Sequence, residues 1–562
     1  MLQTKLIPRT ASAHEPPMLI KSLLAQSLKY EPQREIVYRD LFRMNYLEFN
    51  RRVRRLANTL TALGVKPGDT VAVFDWDSHR YLECFFGITG IGAILHTINV
   101  RLSPGQILYT MNHAEDKLVL IHEDFLPLLN AVKADLTTVE KYVLITDKVY
   151  ADSTVGNTVP DGFEGEYETL LEKASDEYDF PDFDENTWAT TFYTTGTTGN
   201  PKGVHFSHRQ LFMHTMGLLT YVSGYECVSF KSSTDVYMPI TPMFHVHAWG
   251  FPFLATMLAA KQIYPGRYEP EMLLRLLVKE GVTLSHCVPT ILQMLVNSPA
   301  AQQFKPQLSR WKVIIGGSAL TQGLAKAALE LGIQVCAGYG MSETAPIMSV
   351  TYLNDEERPL PIGEQVNLRI RAGRIAPFVD LKLVDDHGNT VPHDGHSVGE
   401  LVARGPWMTQ GYYKEPEQSE NLWRDGWLHT GDVASISPDN WIQIADRTKD
   451  VIKSGGEWVS SLAIEDLLSR VEGVAESAVI GLPDDRWGER PHALIVLKPD
   501  YTGKVTPAQI RASLQQQVEQ GDINKWYVPD RVIFVPEIPK TSVGKIDKKK
   551  IRSEMREIIL NA

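Results

Sequence analysis

The sequence predicts an α/β protein with a large N-terminal layered α/β domain, a strand-rich subdomain and a small C-terminal α+β domain. Three observations support this prediction. Helix-like and strand-like runs alternate over residues 46–123, which is typical of βα units around a largely parallel sheet. Short strand-like runs separated by turn signals follow Leu381, and beyond Arg447 one helix-like run lies between two strand-like runs.

The N-terminal elements follow one another in a regular order. The run YLEFNRRVRRLANTLTALG predicts a helix, TVAVFDW a strand, HRYLECFFGITGIG a second helix and KLVLIHE a second strand. The same alternation recurs in LLRLLVKEG, VTLSHCV, WKVIIGG, LAKAALELG and IQVCAGYG. We expect these elements to pack as the layers of one large α/β domain.

The pattern of predicted secondary-structure elements changes twice in the later part of the chain. The runs LKLVDDHGN, GELVARG and WIQIADR predict short strands joined by turns, and hence a strand-rich subdomain. The runs ALIVLKPD and RVIFVPEIPK predict strands on either side of the helix-like TPAQIRASLQQQVEQ. We place the domain boundary within residues 446–453 and divide the chain into an N-terminal domain, residues 1–446, and a C-terminal domain, residues 447–562.

Composition is that of a globular protein without a nucleic-acid or lipid signature. Of the 562 residues, 43% are hydrophobic and 22% are charged, which excludes a disordered or low-complexity chain. The formal net charge of -12 gives no general electrostatic attraction to nucleic acid or anionic lipid. Any polyanion must therefore meet a local basic site, and no nucleic-acid partner is expected.

The cysteines and the apolar runs favour a cytoplasmic protein. Cys84, Cys227, Cys287 and Cys336 are far apart and form no CxxC pair, so neither a disulfide framework nor a zinc ribbon is expected. The N-terminal residues lack the apolar core of a secretion signal. The most apolar run, residues 84–100, is short for a membrane span and contains Thr, His and Asn, so we expect a buried helix followed by a strand rather than an integral membrane segment. Weak association with a membrane surface stays open.

The segment TTGTTGNPKG, residues 194–203, is the strongest chemical signal. It contains four threonines, three glycines and one lysine and follows the strand-like WATTFY. Glycine permits close backbone approach, threonine hydroxyls and backbone amides donate hydrogen bonds, and Lys202 adds positive charge, so such a loop suits phosphate. It is not a Walker loop, because Pro201 precedes the lysine and Gly203 follows it. A Gly/Thr-rich surface turn is the alternative for this segment on its own.

Seven motifs in order carry a family resemblance over nearly the whole chain. They are TTGTTGNPKGV (194–204), PMFHVHAWG (242–250), GGSAL (316–320), GYGMSETAP (338–346), WLHTGD (427–432), DRTKDVIKSGGEWVSS (446–461) and PKTSVGKIDKKKIR (539–552). With these motifs the sequence resembles the adenylate-forming superfamily of acyl-CoA synthetases, nonribosomal adenylation domains and luciferases. The resemblance implies a two-step reaction. A carboxylate attacks the α-phosphate of ATP to give an acyl-adenylate and pyrophosphate, and a thiol then displaces AMP.

The resemblance assigns the ATP phosphates to the Thr/Gly/Lys loop. Its expected donors to the β- and γ-phosphates share hydroxyl, amide or ammonium groups; they are Thr194, Thr195, Gly196, Thr197, Thr198 and Lys202. Mg²⁺ is the expected cofactor, sharing the phosphate charge, with ATP and CoA as co-substrates. Glu343 resembles the magnesium-linked carboxylate of the family, a hard oxygen ligand for a hard cation. A glutamate that caps a helix is the alternative reading of Glu343.

The same resemblance assigns the rest of the nucleotide. Tyr339 corresponds to the aromatic residue that stacks on adenine, and Ser342 to a hydroxyl at the α-phosphate. Gly317 and Gly338 are expected to let the backbone approach the nucleotide and the acyl carbonyl. A second group contacts ribose and phosphate: Asp432 accepts both ribose hydroxyls, Arg447 contacts ribose and phosphate, and Lys453 contacts the nucleotide phosphate or the acyl oxygen.

Lys545 resembles the lysine that the family uses for adenylation. Carboxylate and α-phosphate are both anionic, so their approach needs positive charge that also stabilises the pentavalent transition state. Six basic residues lie within residues 540–552. A solvated basic tail is therefore the expected role of most of them, but not of Lys545.

The aromatic motif points to the acid pocket. His245 corresponds to the family residue that closes on the substrate carboxylate and the α-phosphate, which makes it a catalytic candidate with Lys545 and Glu343. Val246, Trp249 and Gly316 are expected to shape the pocket. His245 and His247 form an HxH pair, but no further ligand lies at metal-binding spacing, so His247 is expected to line the pocket or join the core.

The resemblance also implies a mobile C-terminal domain. Family members rotate the small domain between the two steps, presenting first the Lys545 loop and then the loop of Gly455 and Gly456. Lys449 occupies the hinge position. Gly455 and Gly456 are expected to line the passage for the pantetheine arm of CoA.

The substrate class follows from the resemblance alone. The runs TPMFHVHAWGFP and INKWYVPDRVIFVPEIPKTSVGKIDKK resemble medium-chain fatty-acid and methylthioalkanoate CoA ligases, which implies an AMP-forming acyl-CoA ligase for an aliphatic carboxylate. An aryl, alicyclic or short-chain acid, or a carrier protein as acceptor, stays open, as do luciferase chemistry and a degenerate scaffold. The expected partners are a small carboxylate, ATP and CoA, and a homodimer is possible.

Overall fold

The computed structural model describes most of the chain and divides it among three sheets. The described residues are 5–151, 159–194, 200–225, 229–385, 387–454, 457–521, 523–541, 546–554 and 556. Their strands, in chain order, are β1 (Glu35–Tyr38), β2 (Phe42–Asn45), β3 (Thr70–Phe74), β4 (Ile94–Thr97), β5 (Asp116–His122), β6 (Lys141–Ile145), β7 (Gly165–Glu166), β8 (Trp188–Thr194), β9 (Lys202–Ser207), β10 (Val236–Tyr237), β11 (Lys261–Tyr264), β12 (Leu284–Cys287), β13 (Lys312–Ile315), β14 (Gln334–Gly340), β15 (Ile347–Val350), β16 (Gly373–Ile375), β17 (Asp380–Val384), β18 (Thr390–Val391), β19 (Gly399–Arg404), β20 (Trp423–Arg424), β21 (Trp427–Ile436), β22 (Trp441–Arg447), β23 (Ile452–Ser454), β24 (Glu457–Val459), β25 (Val474–Asp484), β26 (Gly488–Leu497) and β27 (Arg531–Phe534).

The helices of the described residues alternate with these strands in the N-terminal half. They are α1 (Ile20–Tyr30), α2 (Tyr46–Ala62), α3 (His79–Gly90), α4 (Pro104–Ala114), α5 (Leu126–Asn130), α6 (Tyr167–Lys173), α7 (His208–Gly224), α8 (Val246–Trp249), α9 (Phe251–Met257), α10 (Pro270–Glu280), α11 (Pro289–Val296), α12 (Pro299–Gln303), α13 (Lys305–Leu308), α14 (Gln322–Glu330), α15 (Ile362–Arg369), α16 (Pro416–Leu422), α17 (Ser461–Ser469), α18 (Pro507–Glu519) and α19 (Lys548–Glu554).

The first sheet is mainly parallel, as the alternating N-terminal pattern predicts. Its strand order is β7-β6-β5-β3-β4-β8-β9. All neighbours are parallel except β8 and β9, which form an antiparallel hairpin. The apolar run 84–100 forms the end of the buried helix α3 and strand β4, so the expectation of a buried helix followed by a strand is confirmed.

The second sheet joins a parallel part to an antiparallel part. Its order is β18-β17-β19-β21-β22-β16-β15-β14-β13-β12-β10-β11-β1-β2, with β20 beside β21. Strands β10 to β14 pair in parallel, whereas β14 to β22 pair antiparallel. The antiparallel part is the strand-rich subdomain that the sequence predicts. Strand β14 belongs to both parts, so the residues at its carboxyl end lie where the two meet.

The third sheet forms a small unit at the C-terminal end of the chain. Its order is β24-β23-β26-β25, with β27 parallel to β26, and it has two small hydrophobic cores of its own. Strand β22 ends at Arg447 and β23 begins at Ile452. The predicted domain boundary between residues 446 and 447 lies at the end of β22, where the chain leaves the second sheet for the third. It stays a prediction.

The cysteines and the helices of the described residues can be compared with the expectations from the sequence. Cys84, Cys287 and Cys336 are buried free cysteines, and Cys227 lies outside the described residues. Among the described helices, none has the length and apolar character needed to cross a bilayer. The mixed α/β architecture agrees with the fold class predicted from the alternation of helices and strands.

Candidate functional site

The candidate site lies at the carboxyl ends of two neighbouring parallel strands. Strand β13 ends immediately before Gly316 and Gly317, and β14 carries Gly338 and Tyr339 at its end. Carboxyl ends of parallel strands meet at one edge of a sheet, where ligands of open α/β sheets bind. Gly317 has a φ of 81°, a left-handed backbone that favours glycine and brings the chain close to the site.

A cavity at this edge collects most of the side chains predicted for acid and nucleotide. The space between its walls is about 470 Å³ and includes open solvent. The predicted residues that line it are His245, Val246, Trp249, Gly316, Gly317, Gly338, Tyr339 and Ser342. The remaining walls are mainly apolar and include Ile314, Ile347 and Val350. The cavity therefore joins the predicted acid pocket to the predicted adenine and α-phosphate contacts.

Trp249 forms a wall of the cavity and is held from two sides. A Cβ added at Gly316 would lie 2.9 Å from its ring, so the absence of a side chain at Gly316 makes room for the indole. On another side the indole stacks on His286, with ring centroids 4.9 Å apart. The His286 ring is fixed by Tyr237 Oη at 2.7 Å and Thr241 Oγ1 at 3.0 Å. Burial lowers the pKa of His286 to about 3, so the ring is neutral at physiological pH.

The turn that carries Val246 and Trp249 is left-handed. Four consecutive residues without a glycine, Val246, His247, Ala248 and Trp249, have φ values of 48°, 54°, 47° and 58°. Each such residue costs about 1–2 kcal/mol relative to a right-handed turn. Gly250 then continues the left-handed backbone at φ 75°. Strain of this kind persists where the surrounding packing fixes the backbone, and all four side chains are buried.

His247 belongs to the core rather than to a metal site. Its ring is fully buried among Phe85, Phe192 and Phe253, at centroid distances of 5.7, 5.4 and 6.0 Å. Neither ring nitrogen has a hydrogen-bond partner among the described residues, and burial lowers the pKa to about 3. The described part of the chain contains no group of three or more His, Cys, Asp or Glu residues that could hold a metal ion.

The predicted ribose contacts form a connected group at the subdomain edge. Tyr339 Oη donates a hydrogen bond of 2.6 Å to Asp432 Oδ2, and Arg447 Nε lies 3.4 Å from Asp432 Oδ1. Asp432 and Arg447 face each other as a cross-strand pair of β21 and β22. Burial, followed by the nearby charge of Asp432, raises the pKa of Tyr339 well above its ordinary value. The phenol therefore stays protonated and remains a donor to the carboxylate.

The predicted phosphate loop connects the two strands of the β8–β9 hairpin. Thr194 faces Lys202 across the start of the hairpin. The predicted loop residues Thr195, Gly196, Thr197 and Thr198 lie outside the described residues. The outer edge of β9 is paired with the segment 409–413, through a bridge of Val204 to Tyr412 and a bond of 2.8 Å from Tyr413 N to Gly203 O.

Tyr412 contacts both Glu343 and Lys202, two residues of the predicted phosphate site. Its phenol donates a hydrogen bond of 2.7 Å to Glu343 Oε1, and its ring lies beneath Lys202, whose Nζ is 4.7 Å from the ring centroid. Glu343 is only 7% exposed. Sequence reasoning missed Tyr412. The available signal was the pair of tyrosines in GYYK, residues 411–414, placed shortly before the WLHTGD motif.

Asp77 supports the His245 motif and was also missed. Its Oδ1 accepts a hydrogen bond of 2.8 Å from Met243 N, and Tyr268 Oη donates to its Oδ2. The carboxyl group is buried, and burial raises its pKa to about 7. Asp77 thus anchors the backbone two residues before His245.

The predicted residues of the C-terminal domain lie partly outside the described chain. Gly455, Gly456 and Lys545 are outside it. Lys453 lies on β23, exposed, with its backbone N–H donating to Glu489 Oε2 over 2.9 Å. Lys449 lies in the turn between β22 and β23, so it occupies the connection between the second and third sheets.

Comparison with known proteins identifies the family. The AMP-binding enzyme family matches residues 24–413, and the AMP-binding enzyme C-terminal domain matches residues 463–545. The 3-methylmercaptopropionyl-CoA ligase of Ruegeria lacuscaerulensis is 38% identical over 97% of this chain and 98% of its own length. The long-chain-fatty-acid–CoA ligase of Thermus thermophilus is 37% identical over 93% of both chains. The medium-chain-fatty-acid–CoA ligase of Ectopseudomonas oleovorans is 35% identical over 97% of both.

Solved structures support the same conclusion. The ATP-bound MatB of Rhodopseudomonas palustris superposes with a TM-score of 0.80 at 25% identity, over 96% of this chain and 99% of that one. The anthranilate CoA ligase AuaEII with anthranoyl-AMP superposes with a TM-score of 0.82 at 24% identity, over 97% and 98%, which shows the shared fold. The chain therefore belongs to the AMP-binding enzyme family.

Proposed function

We propose that this enzyme activates a medium-chain aliphatic monocarboxylic acid, and that the site residues identified above carry the reaction. The chain is an AMP-forming acyl-CoA ligase, which uses ATP to convert a carboxylate to an acyl-adenylate and then transfers the acyl group to CoA. The observation that carries the proposal is the single cavity shared by the apolar wall of Trp249 and the nucleotide contact Tyr339.

In this proposal the acid binds in the cavity, beside the α-phosphate of ATP. In the first step a carboxylate oxygen attacks the α-phosphorus, the bond to the bridging oxygen breaks, and pyrophosphate leaves with that electron pair. Tyr339 stacks on adenine while Asp432 and Arg447 hold the ribose, which fixes the position of the α-phosphate. In this proposal Lys545 supplies the positive charge that offsets the repulsion between the two anions, and His245 closes on the carboxylate and the α-phosphate.

Lys202 and Glu343 serve the outer phosphates. Lys202, with the hydroxyl and amide donors of the loop from Thr194, binds the β- and γ-phosphates as the pyrophosphate leaves. Glu343 offers a buried carboxylate next to this position, and a carboxylate oxygen is a ligand that suits Mg²⁺. When bound, Mg²⁺ supplies charge neutralisation at the phosphate oxygens. Glu343 is the residue of this site that would hold it.

The second step needs the C-terminal unit. Rotation about Lys449 brings Gly455 and Gly456 to the acyl-adenylate, where the CoA thiolate attacks the acyl carbon and AMP leaves. Gly455 and Gly456 allow the pantetheine arm to approach without a side chain in its path. Lys453 contacts the nucleotide phosphate or the acyl oxygen. The cytoplasmic location and the possible homodimer stay predictions from the sequence.

The chemistry of the pocket wall supports an aliphatic monocarboxylic acid. Among the described residues that line the cavity there is no lysine or arginine to pair with a second carboxylate. Trp249, packed against Gly316 and His286, forms one wall of the cavity, and we expect this wall to set the acid length that fits. The relatives act on a thioether acid, a long-chain and a medium-chain fatty acid at nearly equal identity, so pocket length decides among them. Each further buried methylene contributes about 0.8 kcal/mol until the pocket ends.

A panel of acids tests this proposal. Straight-chain acids from acetate to palmitate, together with methylthio, branched, dicarboxylic and aromatic acids, are incubated with ATP, Mg²⁺ and CoA, and acyl-CoA and AMP are quantified. We expect kcat/KM to rise with each methylene, peak at a medium chain length and fall beyond it. A maximum with an aromatic acid or with acetate would contradict the proposed acid. AMP release that CoA does not accelerate would instead indicate a carrier protein as acceptor.

A further inference from the structure

The geometry points to a further residue for the first step: we infer that Tyr412 is a positioning residue that holds Glu343 and Lys202 ready for the phosphates of ATP. This inference rests on the proposed function, because it requires ATP with Mg²⁺ as the ligand of those two side chains. Tyr412 itself is not among the residues that line the cavity proposed for the acid.

The first contact fixes the Glu343 carboxylate. Tyr412 Oη donates to Glu343 Oε1 over 2.7 Å, and the backbone oxygen of Glu343 accepts a bond of 2.8 Å from Thr409 N. The phenol is the donor in this contact, because an ionised carboxylate can only accept a hydrogen bond. A carboxylate that is hydrogen-bonded in this way has one oxygen oriented, and outer contacts of this type commonly control metal affinity.

The second contact places the Lys202 ammonium. Its Nζ lies 4.7 Å from the centroid of the Tyr412 ring, within the range of a cation–π interaction. A lysine side chain has several rotatable bonds, so a face on which its charge rests reduces the number of positions that it samples. One tyrosine therefore contacts the cation through its ring and the carboxylate through its phenol oxygen.

The backbone of Tyr412 is fixed independently of both contacts. It forms a bridge with Val204 on β9, and its N–H donates to Ser419 Oγ over 2.8 Å. One residue further on, Tyr413 N donates to Gly203 O over 2.8 Å. The segment around Tyr412 is thus bonded to the β8–β9 hairpin through its backbone and to Glu343 through the tyrosine side chain.

The neighbouring tyrosine provides a matched control. Tyr413 packs its ring on Trp188 at 4.7 Å and on His113 at 5.3 Å, and neither of these residues belongs to the predicted phosphate site. Tyr413→Phe removes the same phenol oxygen from the same segment. It therefore reports what the loss of one hydroxyl does when Glu343 is not involved.

The test is a binding equilibrium that needs no turnover. Isothermal titration with α,β-methylene-ATP, without acid or CoA, is performed over a series of Mg²⁺ concentrations and again with EDTA. We expect Tyr412→Phe to raise the Mg²⁺ concentration for half-maximal binding by about tenfold, while binding in EDTA changes by less than about twofold. Tyr413→Phe should stay within about twofold of wild type under both conditions.

A double-mutant comparison separates positioning from general structure. In the Glu343→Gln background the effect of Tyr412→Phe on the Mg²⁺ dependence should disappear, because the contact through which it acts has changed. Tyr412→Leu should additionally weaken binding in EDTA, since it removes the ring under Lys202, and this added loss should vanish in Lys202→Ala. Tyr412→His retains a ring and a donor and should restore part of the Mg²⁺ affinity.

The outcomes that overturn the inference are distinct from failure of the proposed function. An unchanged Mg²⁺ dependence in Tyr412→Phe, or an equal loss with Mg²⁺ and with EDTA, rules out positioning of Glu343. A loss of Mg²⁺ affinity that persists unchanged in the Glu343→Gln background also rules it out. If Tyr412→His restores no Mg²⁺ affinity and the Tyr412 variants unfold at a lower midpoint, Tyr412 has a purely structural role. If the wild-type enzyme forms no acyl-CoA from any acid, the proposed function fails first.

Discussion

Tyr339 and Asp432 are joined by a hydrogen bond of 2.6 Å from phenol to carboxylate, although 93 residues separate them in the chain. Tyr339 ends a strand of the parallel part of the second sheet, and Asp432 lies on the long strand β21 of its antiparallel part. The bond thus connects the predicted adenine contact to the predicted ribose contact across the two parts of the sheet. It orients the carboxylate through a donor whose pKa is raised by burial.

Removal of this bond should weaken ATP binding. Tyr339→Phe retains the ring that stacks on adenine but leaves the Asp432 carboxylate without its donor, so the KM for ATP should rise by roughly three- to tenfold. Asp432→Asn should have a larger effect, since an amide cannot accept from both ribose hydroxyls. The measurement is acid-dependent ATP–pyrophosphate exchange at varied ATP. If both variants retain the wild-type KM for ATP, the nucleotide does not bind as proposed.

A side chain at Gly316 should shorten the acid pocket. The Cβ of Gly316→Ala would meet Trp249 at 2.9 Å and Gly338 O at 3.2 Å, and overpacking of this kind costs about 1–3 kcal/mol. We expect kcat/KM to fall most for the longest acids accepted, moving the optimum to shorter chains. The acid panel checks this, with Gly363→Ala as control, because a Cβ at Gly363 meets nothing within 4 Å. An equal loss for all acids would place Gly316 outside the acyl pocket.

The connection at Lys449 should matter for the second step. Lys449→Pro fixes φ and restricts the preceding residue, which limits rotation between β22 and β23. Acyl transfer to CoA should slow by roughly ten- to a hundredfold, because the reacting groups no longer align, while adenylation measured by pyrophosphate exchange changes little. Lys449→Ala, which leaves the backbone free to rotate, is the control. Wild-type rates of both half-reactions in Lys449→Pro would exclude a hinge at this position.

The buried Asp77 should make stability depend on pH in a defined direction. Its pKa is raised by burial from 3.8 to about 7 in the folded protein, so between those values the folded state holds a proton that the unfolded state releases. Its contribution is therefore present at low pH and lost as pH rises toward 7. Asp77→Asn mimics the protonated acid and does not titrate. The free energy of unfolding of Asp77→Asn minus that of wild type should therefore increase by roughly 1–4 kcal/mol from pH 5 to pH 8.

Urea unfolding at the two pH values measures this difference. Contributions of other groups cancel when each variant is compared with wild type at the same pH. Asp179→Asn, at an exposed carboxylate, should show no pH-dependent gain. A constant difference between Asp77→Asn and wild type at both pH values would mean that Asp77 does not titrate in this range.

Much of this architecture is predictable from local sequence pattern. The alternation over residues 46–123 gives α2, β3, α3 and β5 in the predicted order, because hydrophobic periodicity and the βα rhythm are local properties. The motifs place His245, Tyr339 and Ser342 around one cavity. The family resemblance carried by these motifs implied that the three residues share one site.

What the sequence does not reveal depends on tertiary contact or on strain. Tyr412 meets Glu343 across 69 residues of chain, and no periodicity relates the two positions. The left-handed turn at Val246, His247, Ala248 and Trp249 contains no glycine, so local propensity predicts the opposite backbone. Asp77 lies in an ordinary loop after β3 and gains its role only because Met243 and Tyr268 pack against it.

The central claim is that one cavity activates an acid as its adenylate before CoA reacts. The most direct measurement is ATP–pyrophosphate exchange with wild type and Lys545→Ala, without CoA, followed by addition of CoA and analysis of the nucleotide and acyl products. We expect exchange that requires a medium-chain acid, is abolished in Lys545→Ala, and gives AMP and acyl-CoA in equal amounts once CoA is added. Exchange that needs no acid, or formation of ADP in place of AMP, would contradict it.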